Sequence, residues 1–231
     1  MSIYKLIIFD MDDTLFDYVA TEKLAIEGAC HVQNVSFSDD AYLIYKKAND
    51  IAKKVLPNFI FDLPKFRKLR AVNFFELMAY KNMDEEKFNE DYLRISSQNG
   101  VLINGVLETI THISMHSRAA LVVATNGSDY PRKNKLFSSP IAPYIARYYS
   151  SERMKVAKPD AAFFGNIMKD YDVYSHEVIN IGDDWSTDVM CAINAGISCC
   201  WFNWKNQHID KQIPENIQIV TKFGDIEELT K

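Results

Sequence analysis

The sequence has no basic excess: 26 lysines and arginines face 31 aspartates and glutamates, a net charge of −5 over 231 residues. Proteins that grip polymeric nucleic acid carry a basic footprint, so that class of partner is set aside. No apolar run approaches the roughly 20 residues that a membrane helix requires, so no membrane partner is expected. The first residues lead straight into an apolar run, which leaves no space for a signal peptide. The four cysteines, Cys30, Cys191, Cys199 and Cys200, make no C-x-x-C pair. Adjacent Cys199 and Cys200 are expected on opposite faces of a strand as packing residues rather than in a disulfide. Internal repeats and low-complexity segments are also missing. What remains, 48% hydrophobic and 25% charged, is ordinary for a folded globular chain with one large domain or two modest ones. The expectation is a cytoplasmic protein with no protein partner implied.

The stretch that is present and informative runs from Lys5 to Asp17, KLIIFDMDDTLFD. Leu6-Ile7-Ile8-Phe9 has the length and branching of a buried strand. The run stops at Asp10, and Asp12 and Asp13 follow. A hydrophobic strand that ends in acids puts them at the carboxyl edge of a sheet, where open α/β sheets bind ligands. One carboxylate there can attack an electrophile and another can move protons. Two such acids repel each other unless a cation lies between them, and hard oxygen ligands suit magnesium. A D-x-D pair alone is also what a solvated turn or a helix cap looks like, with Asp13 or Thr14 as the cap. An EF-hand loop counted from Asp10 fails, since Leu15 stands at its glycine position and Thr21 at its closing glutamate.

Beyond Asp17 the strand character vanishes for about eighty residues, far more than an ordinary connection. Apolar residues recur there at helical spacing, Ser38 and Asp84-Glu85-Glu86 are helix starts, and Pro57 and Pro64 bracket a break. Four or five helices are predicted over 18–98, with Phe59, Phe61, Phe66, Phe74 and Phe75 in their core. Asn99-Gly100 and Asn104-Gly105 mark the return of an alternating rhythm. Helices are predicted from Gly105 to His116, from Tyr130 to Phe137, from Lys158-Pro159 onward, and from Asp188 to Ala195 with Gly196 as C-cap. Strands are predicted at Ala119–Ala124, Arg147–Ser151, Val178–Ile181, Ile197–Phe202 and Ile217–Val220. Such alternation implies a parallel sheet with right-handed crossovers. Three strands then end in polar residues on one edge: Asp10 with Asp12, Thr125 with Asn126, and Asp183 with Asp184.

With these residues assembled, the chain resembles the haloacid dehalogenase-like superfamily over essentially its whole length. Asp10-Met11-Asp12-Asp13-Thr14 matches its first motif, Thr125 of Thr-Asn-Gly its second, Lys158 of Lys-Pro its third, and Gly182-Asp183 through Asp188 its fourth. The resemblance implies an α/β, Rossmann-like three-layer core with a parallel sheet, formed by 1–17 and 99–231. It implies an all-helical C1-type cap at 18–98, acting as a lid. It implies a magnesium-dependent phosphatase acting on a small phosphorylated metabolite, with Asp10 as nucleophile and Asp12 as acid and base. Magnesium would be held by Asp10, Asp183 and the Asp12 backbone carbonyl. Thr125, the Asn126 backbone N–H and Lys158 would hold phosphoryl oxygens, and Asp188 would support Lys158 or a metal-bound water. Lys155 is a rival lysine. The stretch Ile193–Asn203 and the VAKP around Lys158 are similar to the YjjG-like pyrimidine 5′-nucleotidase group, which ranks a nucleoside 5′-monophosphate first. Arg67 and Arg70, one helical turn apart, are further substrate candidates on a helix where arginines are ordinarily solvated. A phosphosugar mutase shares the same motifs; a 2-haloacid dehalogenase typically lacks the Asp12 equivalent; a phospho-aspartate signalling receiver lacks the helical insertion.

Overall fold

The computed structural model describes residues 4–58, 62–127, 129–208 and 212–229. In chain order the elements are β1 (Leu6–Phe9), α1 (Tyr18–Val32), α2 (Asp39–Val55), α3 (Leu63–Leu77), α4 (Glu85–Gln98) and α5 (Val106–His116). Then come β2 (Ala120–Thr125), α6 (Asp129–Phe137), β3 (Arg147–Ser150), α7 (Ser151–Met154), α8 (Ala161–Tyr171) and β4 (Val178–Gly182). The chain continues with α9 (Met190–Ala195), β5 (Ser198–Phe202), β6 (Ile217–Val220) and α10 (Ile226–Leu229). No helix among the described residues is long and apolar enough to cross a membrane.

The six strands form one parallel sheet in the order β3-β2-β1-β4-β5-β6. β1 is central, pairing Leu6 with Ala120 of β2 and with Val178 of β4. A strand covered on both faces needs apolar side chains at every position, and β1 supplies them. Ile7 and Phe9 pack with Val106, Ile110 and Ile113 of α5 and with Leu136 of α6. Leu6 and Ile8 pack on the other face with Phe163, Phe164 and Ile167 of α8. The sheet is therefore the middle of three layers. Cys199 and Cys200 divide between the two cores as free thiols, as their adjacency on a strand requires.

The chain divides into two compact units, 1–18 with 100–231, and 19–99. Among the described residues of the second, the regular elements are all helices. Ser38 caps α2, accepting a hydrogen bond from the Ala41 N–H, and Asp84 caps α4, accepting from Glu86 and Lys87. Its core holds Ile26, Tyr45, Phe74, Phe75 and Phe88, and Phe66 is buried. Phe59 and Phe61 lie outside the described residues.

Two sequence expectations are corrected. Pro159 does not open a helix: its bond to Lys158 is cis, and α8 begins at Ala161 behind Asp160, whose carboxylate accepts from the Ala162 N–H. The segment after Asp184 starts earlier than Asp188, as a π-helical turn over Trp185–Val189 that runs into α9. Asp184 caps that turn by accepting from the Thr187 N–H, while Gly196 ends α9 at φ 66°.

Candidate active site

The carboxyl ends of β1, β2 and β4 and the loop before α8 enclose one pocket, lined by Asp10, Asp12, Thr125, Asn126, Lys158, Asp183 and Asp188 among others. Parallel pairing is the reason: strands that run the same way release their chains on one edge, so residues far apart in sequence meet. Asp10 follows β1 directly, and its N–H still donates to Ile181 of β4 at 2.8 Å. Asp13 then takes a left-handed backbone, φ 63°, and Leu15 and Phe16 both donate back to Met11 O at 3.0 Å. That tight turn is what allows Asp10 and Asp12 to serve the same pocket.

Lys158 is the hub. Its ammonium, 1% exposed, donates to Asp10 Oδ1 at 2.6 Å, Asp188 Oδ1 at 2.6 Å and Ala124 O at 2.9 Å. Two ionic partners raise the lysine's pKa despite burial, which works the other way. Asn126 fixes the lysine from behind: its Nδ2 donates to Lys158 O at 2.8 Å and its Oδ1 accepts from Lys158 N at 2.9 Å. Asn194 of α9 donates to Pro159 O at 2.9 Å, holding the same loop. Thr125 ends β2 and is buried at the pocket wall.

Carboxylate oxygens of Asp10, Asp183 and Asp188 lie within 4.8 Å of one another. Burial raises the Asp10 pKa, opposed by Lys158 and reinforced by Asp188. Burial, with Asp188 and Asp13 behind it, pushes Asp183 up to about 7. Three buried acids against one lysine leave negative charge in excess, and hard oxygen donors fit a divalent cation such as magnesium.

Asp12 stands apart from that trio. Its Oδ2 accepts from Arg132 Nε at 2.9 Å and its Oδ1 from Lys135 Nζ. Burial alone would raise its pKa, but Lys135 and Arg132 outweigh it and hold the carboxyl below its usual value. Neither cation figured in the sequence reading. They sit three apart on α6, the spacing that puts two side chains on one helix face, yet a basic helix beside the sheet reads equally well as solvated. Two indoles were missed as well: Trp201 Nε1 donates to Asp183 O at 2.8 Å and Trp204 Nε1 to Asp13 O at 2.7 Å. They anchor the backbone of both acid-bearing loops.

Gly182, the last residue of β4, is fixed by proximity. A β-carbon there would stand 2.6 Å from Asp188 Oδ2 and overlap the rest of that carboxyl group. Gly182→Ala is therefore expected to displace Asp188 from Lys158 and lower turnover roughly 100-fold, the scale of a misplacement of about 1 Å in an active site. Steady-state kinetics beside a melting curve checks this; an unaltered rate would show that the Asp188–Lys158 contact has no bearing on turnover.

Elsewhere, Asp184 is a cap, Lys155 is exposed at φ 57°, and His112 and His116 stack on α5 at 4.2 Å with His112 beside Glu227. Arg67 and Arg70 belong to the helical unit. The expectation of solvated arginines is corrected for Arg70, which is buried with its guanidinium carbon 4.8 Å from the Tyr45 ring centre and 5.1 Å from that of Tyr92. Aromatic faces attract a guanidinium, which explains how a charge is tolerated there. Arg67 is half-buried, and burial together with Arg70 lowers its pKa.

Comparisons agree with this architecture. Residues 7–202 match the model of the haloacid dehalogenase-like hydrolases. The pyrimidine 5′-nucleotidase PynA of Streptococcus pneumoniae is 27% identical over 205 residues, 87% of this chain and 84% of that protein. The pyrimidine 5′-nucleotidase YjjG of Escherichia coli is 21% identical, covering 96% and 95%. The solved structure of the HAD-hydrolase YfnB from Bacillus subtilis, bound to magnesium, superposes with a TM-score of 0.78 at 22% identity, covering 98% of each chain. With a parallel sheet that gathers strand-end acids around a lysine, and a family match spanning most of its length, this chain belongs to the haloacid dehalogenase-like hydrolase family.

Proposed function

We propose that the protein is a magnesium-dependent phosphatase that hydrolyses a small phosphomonoester, a pyrimidine nucleoside 5′-monophosphate ahead of a sugar phosphate. The observation that carries this reading is the placement of Asp10: a buried carboxylate at the end of the central strand, 2.6 Å from Lys158 and grouped with Asp183 and Asp188. Phosphoryl transfer asks for positioning and charge neutralisation more than for elaborate covalent chemistry. Asp10 and Asp183, with the Asp12 backbone carbonyl, would hold magnesium, which supplies neutralisation of phosphoryl charge when bound. The names of two relatives, both pyrimidine 5′-nucleotidases, support the choice of substrate.

In this reading an Asp10 oxygen bonds to phosphorus as the bond to the leaving oxygen breaks, and Asp12 gives that oxygen a proton. Water then attacks the phospho-aspartate, losing a proton to Asp12, and the bond to Asp10 breaks to release phosphate. The Thr125 hydroxyl and Asn126 N–H hold phosphoryl oxygens, Lys158 neutralises charge on Asp10 and the phosphoryl group, and Asp188 keeps Lys158 in place. Arg67 and Arg70 stand as candidate contacts to the substrate.

Free-phosphate release across a panel of phosphomonoesters with magnesium tests the reading, and a chelator should silence it. Catalytic efficiency is expected to be highest for pyrimidine monophosphates. A hexose phosphate preference would keep the phosphatase and discard the nucleotidase. Interconversion of hexose phosphate isomers would replace hydrolase with mutase, and no release from any member would overturn the reading.

A further inference from the structure

Arg132 and Lys135 are built into the site in a manner that a solvated helix face does not require. Lys135 is buried, with its Nζ on Asp12 Oδ1 and 5.0 Å from the Phe16 ring centre. Its stem passes over Gly100, where a β-carbon would lie 2.7 Å from Lys135 Cγ. Arg132 lines the pocket and lies over Gly127, where a β-carbon would come within 2.5 Å of the guanidinium carbon. Two glycines thus leave space for two cations, and the two cations converge on both oxygens of one carboxylate.

A carboxylate held at both oxygens is fixed in direction. Charge-assisted hydrogen bonds from two anchored side chains restrict rotation of the group, and each oxygen keeps a further lone pair that can face a water. Aim matters most where the reaction partner is a water that no covalent bond ties to the site, and that is the second of the two tasks assigned to Asp12.

We propose that Arg132 and Lys135 are positioning residues that act through Asp12 in the hydrolytic half of the reaction, holding its carboxylate aimed at the attacking water. This rests on the phosphatase reading above. As water oxygen bonds to phosphorus, one water proton passes to Asp12, the other stays on the phosphate, and the electron pair of the phosphorus–Asp10 bond returns to the Asp10 carboxylate. No oxidant or second substrate enters. Without the two cations Asp12 is left loose, and the phospho-aspartate should persist.

The test uses Lys135→Met, Arg132→Gln and Lys135→Arg in the full chain, with p-nitrophenyl phosphate, whose leaving group departs without a proton. The first half-reaction, read as kcat/KM for this ester, should stay within about 3-fold of the parent. By contrast kcat should fall roughly 100-fold in Lys135→Met and Arg132→Gln, the lower end for loss of a general base. A burst of p-nitrophenolate and a trapped phosphoenzyme should appear in these variants, and Lys135→Arg should restore most of kcat. Equal loss of kcat and kcat/KM with no phosphoenzyme, or no loss at all, would overturn the proposal. If Lys135→Met does not fold, Arg132→Gln and Lys135→Arg still decide it. An Asp10→Asn protein that keeps the parent rate would instead reject the phosphatase reading itself.

Discussion

Asp10→Asn is expected to abolish phosphate release, by about 10⁴-fold or more, the scale seen when a covalent nucleophile is removed. The exchange keeps the size of the side chain and leaves an oxygen that can still accept from Lys158, 2.6 Å away in the parent. What goes is a nucleophilic charge that burial and Asp188 already render costly. The variant should therefore melt no lower than the parent in the presence of a chelator, and higher if the relief of crowding among Asp10, Asp183 and Asp188 outweighs the weaker contact to Lys158. A dead but equally stable enzyme is the signature of a residue retained for chemistry. Rate measurements, a melting curve and an attempt to trap a phosphoenzyme together check it; parent-rate turnover would discard Asp10 as nucleophile.

Lys158→Met should be the most damaging of these changes to stability, with a large loss of activity beside it. The ammonium is the direct ionic partner of Asp10 and Asp188, and all three groups are buried. Breaking a buried ion pair from one side leaves charge without compensation and costs about 3–5 kcal/mol. Asn126 also loses part of its purpose, since its side chain is bonded to the backbone of a lysine that no longer reaches the site. Turnover should fall by about 10³-fold or more, the range for losing electrostatic stabilisation at a reacting centre. Millimolar magnesium should raise the melting temperature of this variant more than that of the parent, because a ligand that binds only the folded state stabilises it and the acids attract it more strongly without the lysine. Equal shifts in the two proteins would show that the cation does not bind beside Lys158.

Much of this architecture was legible because strands declare themselves twice, by composition and by where they stop. β1, β2 and β4 are short apolar runs that end in polar residues, and parallel pairing brings those ends together. Periodicity found the helices of 18–98 for the same reason: a buried stripe leaves its spacing in the sequence. Side chains whose role depends on a partner left no such mark. A basic residue on a helix reads alike whether it faces solvent or, as Arg132 and Lys135 do, a carboxylate 120 or more positions earlier. Arg70 was obscured in the same way, its aromatic neighbours Tyr45 and Tyr92 arriving from two other helices. Pro159 misled because a proline before a helical pattern usually starts it, whereas here Asp160 does the capping.

The central position of β1 has a consequence for biosynthesis. This strand leaves the ribosome well before its partners, which are β2, pairing Leu6 with Ala120, and β4, pairing it with Val178. At about 5–20 residues per second, the first partner follows only after roughly 6–23 seconds, and the second later still. Over that interval β1 is a nascent hydrophobic segment with both edges unpaired, the kind of segment that recruits foreign strands. Residues 19–99 carry a core of their own around Tyr45, Phe74 and Phe88, so they can condense while β1 waits. Ribosome-bound chains halted between β2 and β4 hold the central strand by one edge alone, and there the growing polypeptide has most need of a chaperone.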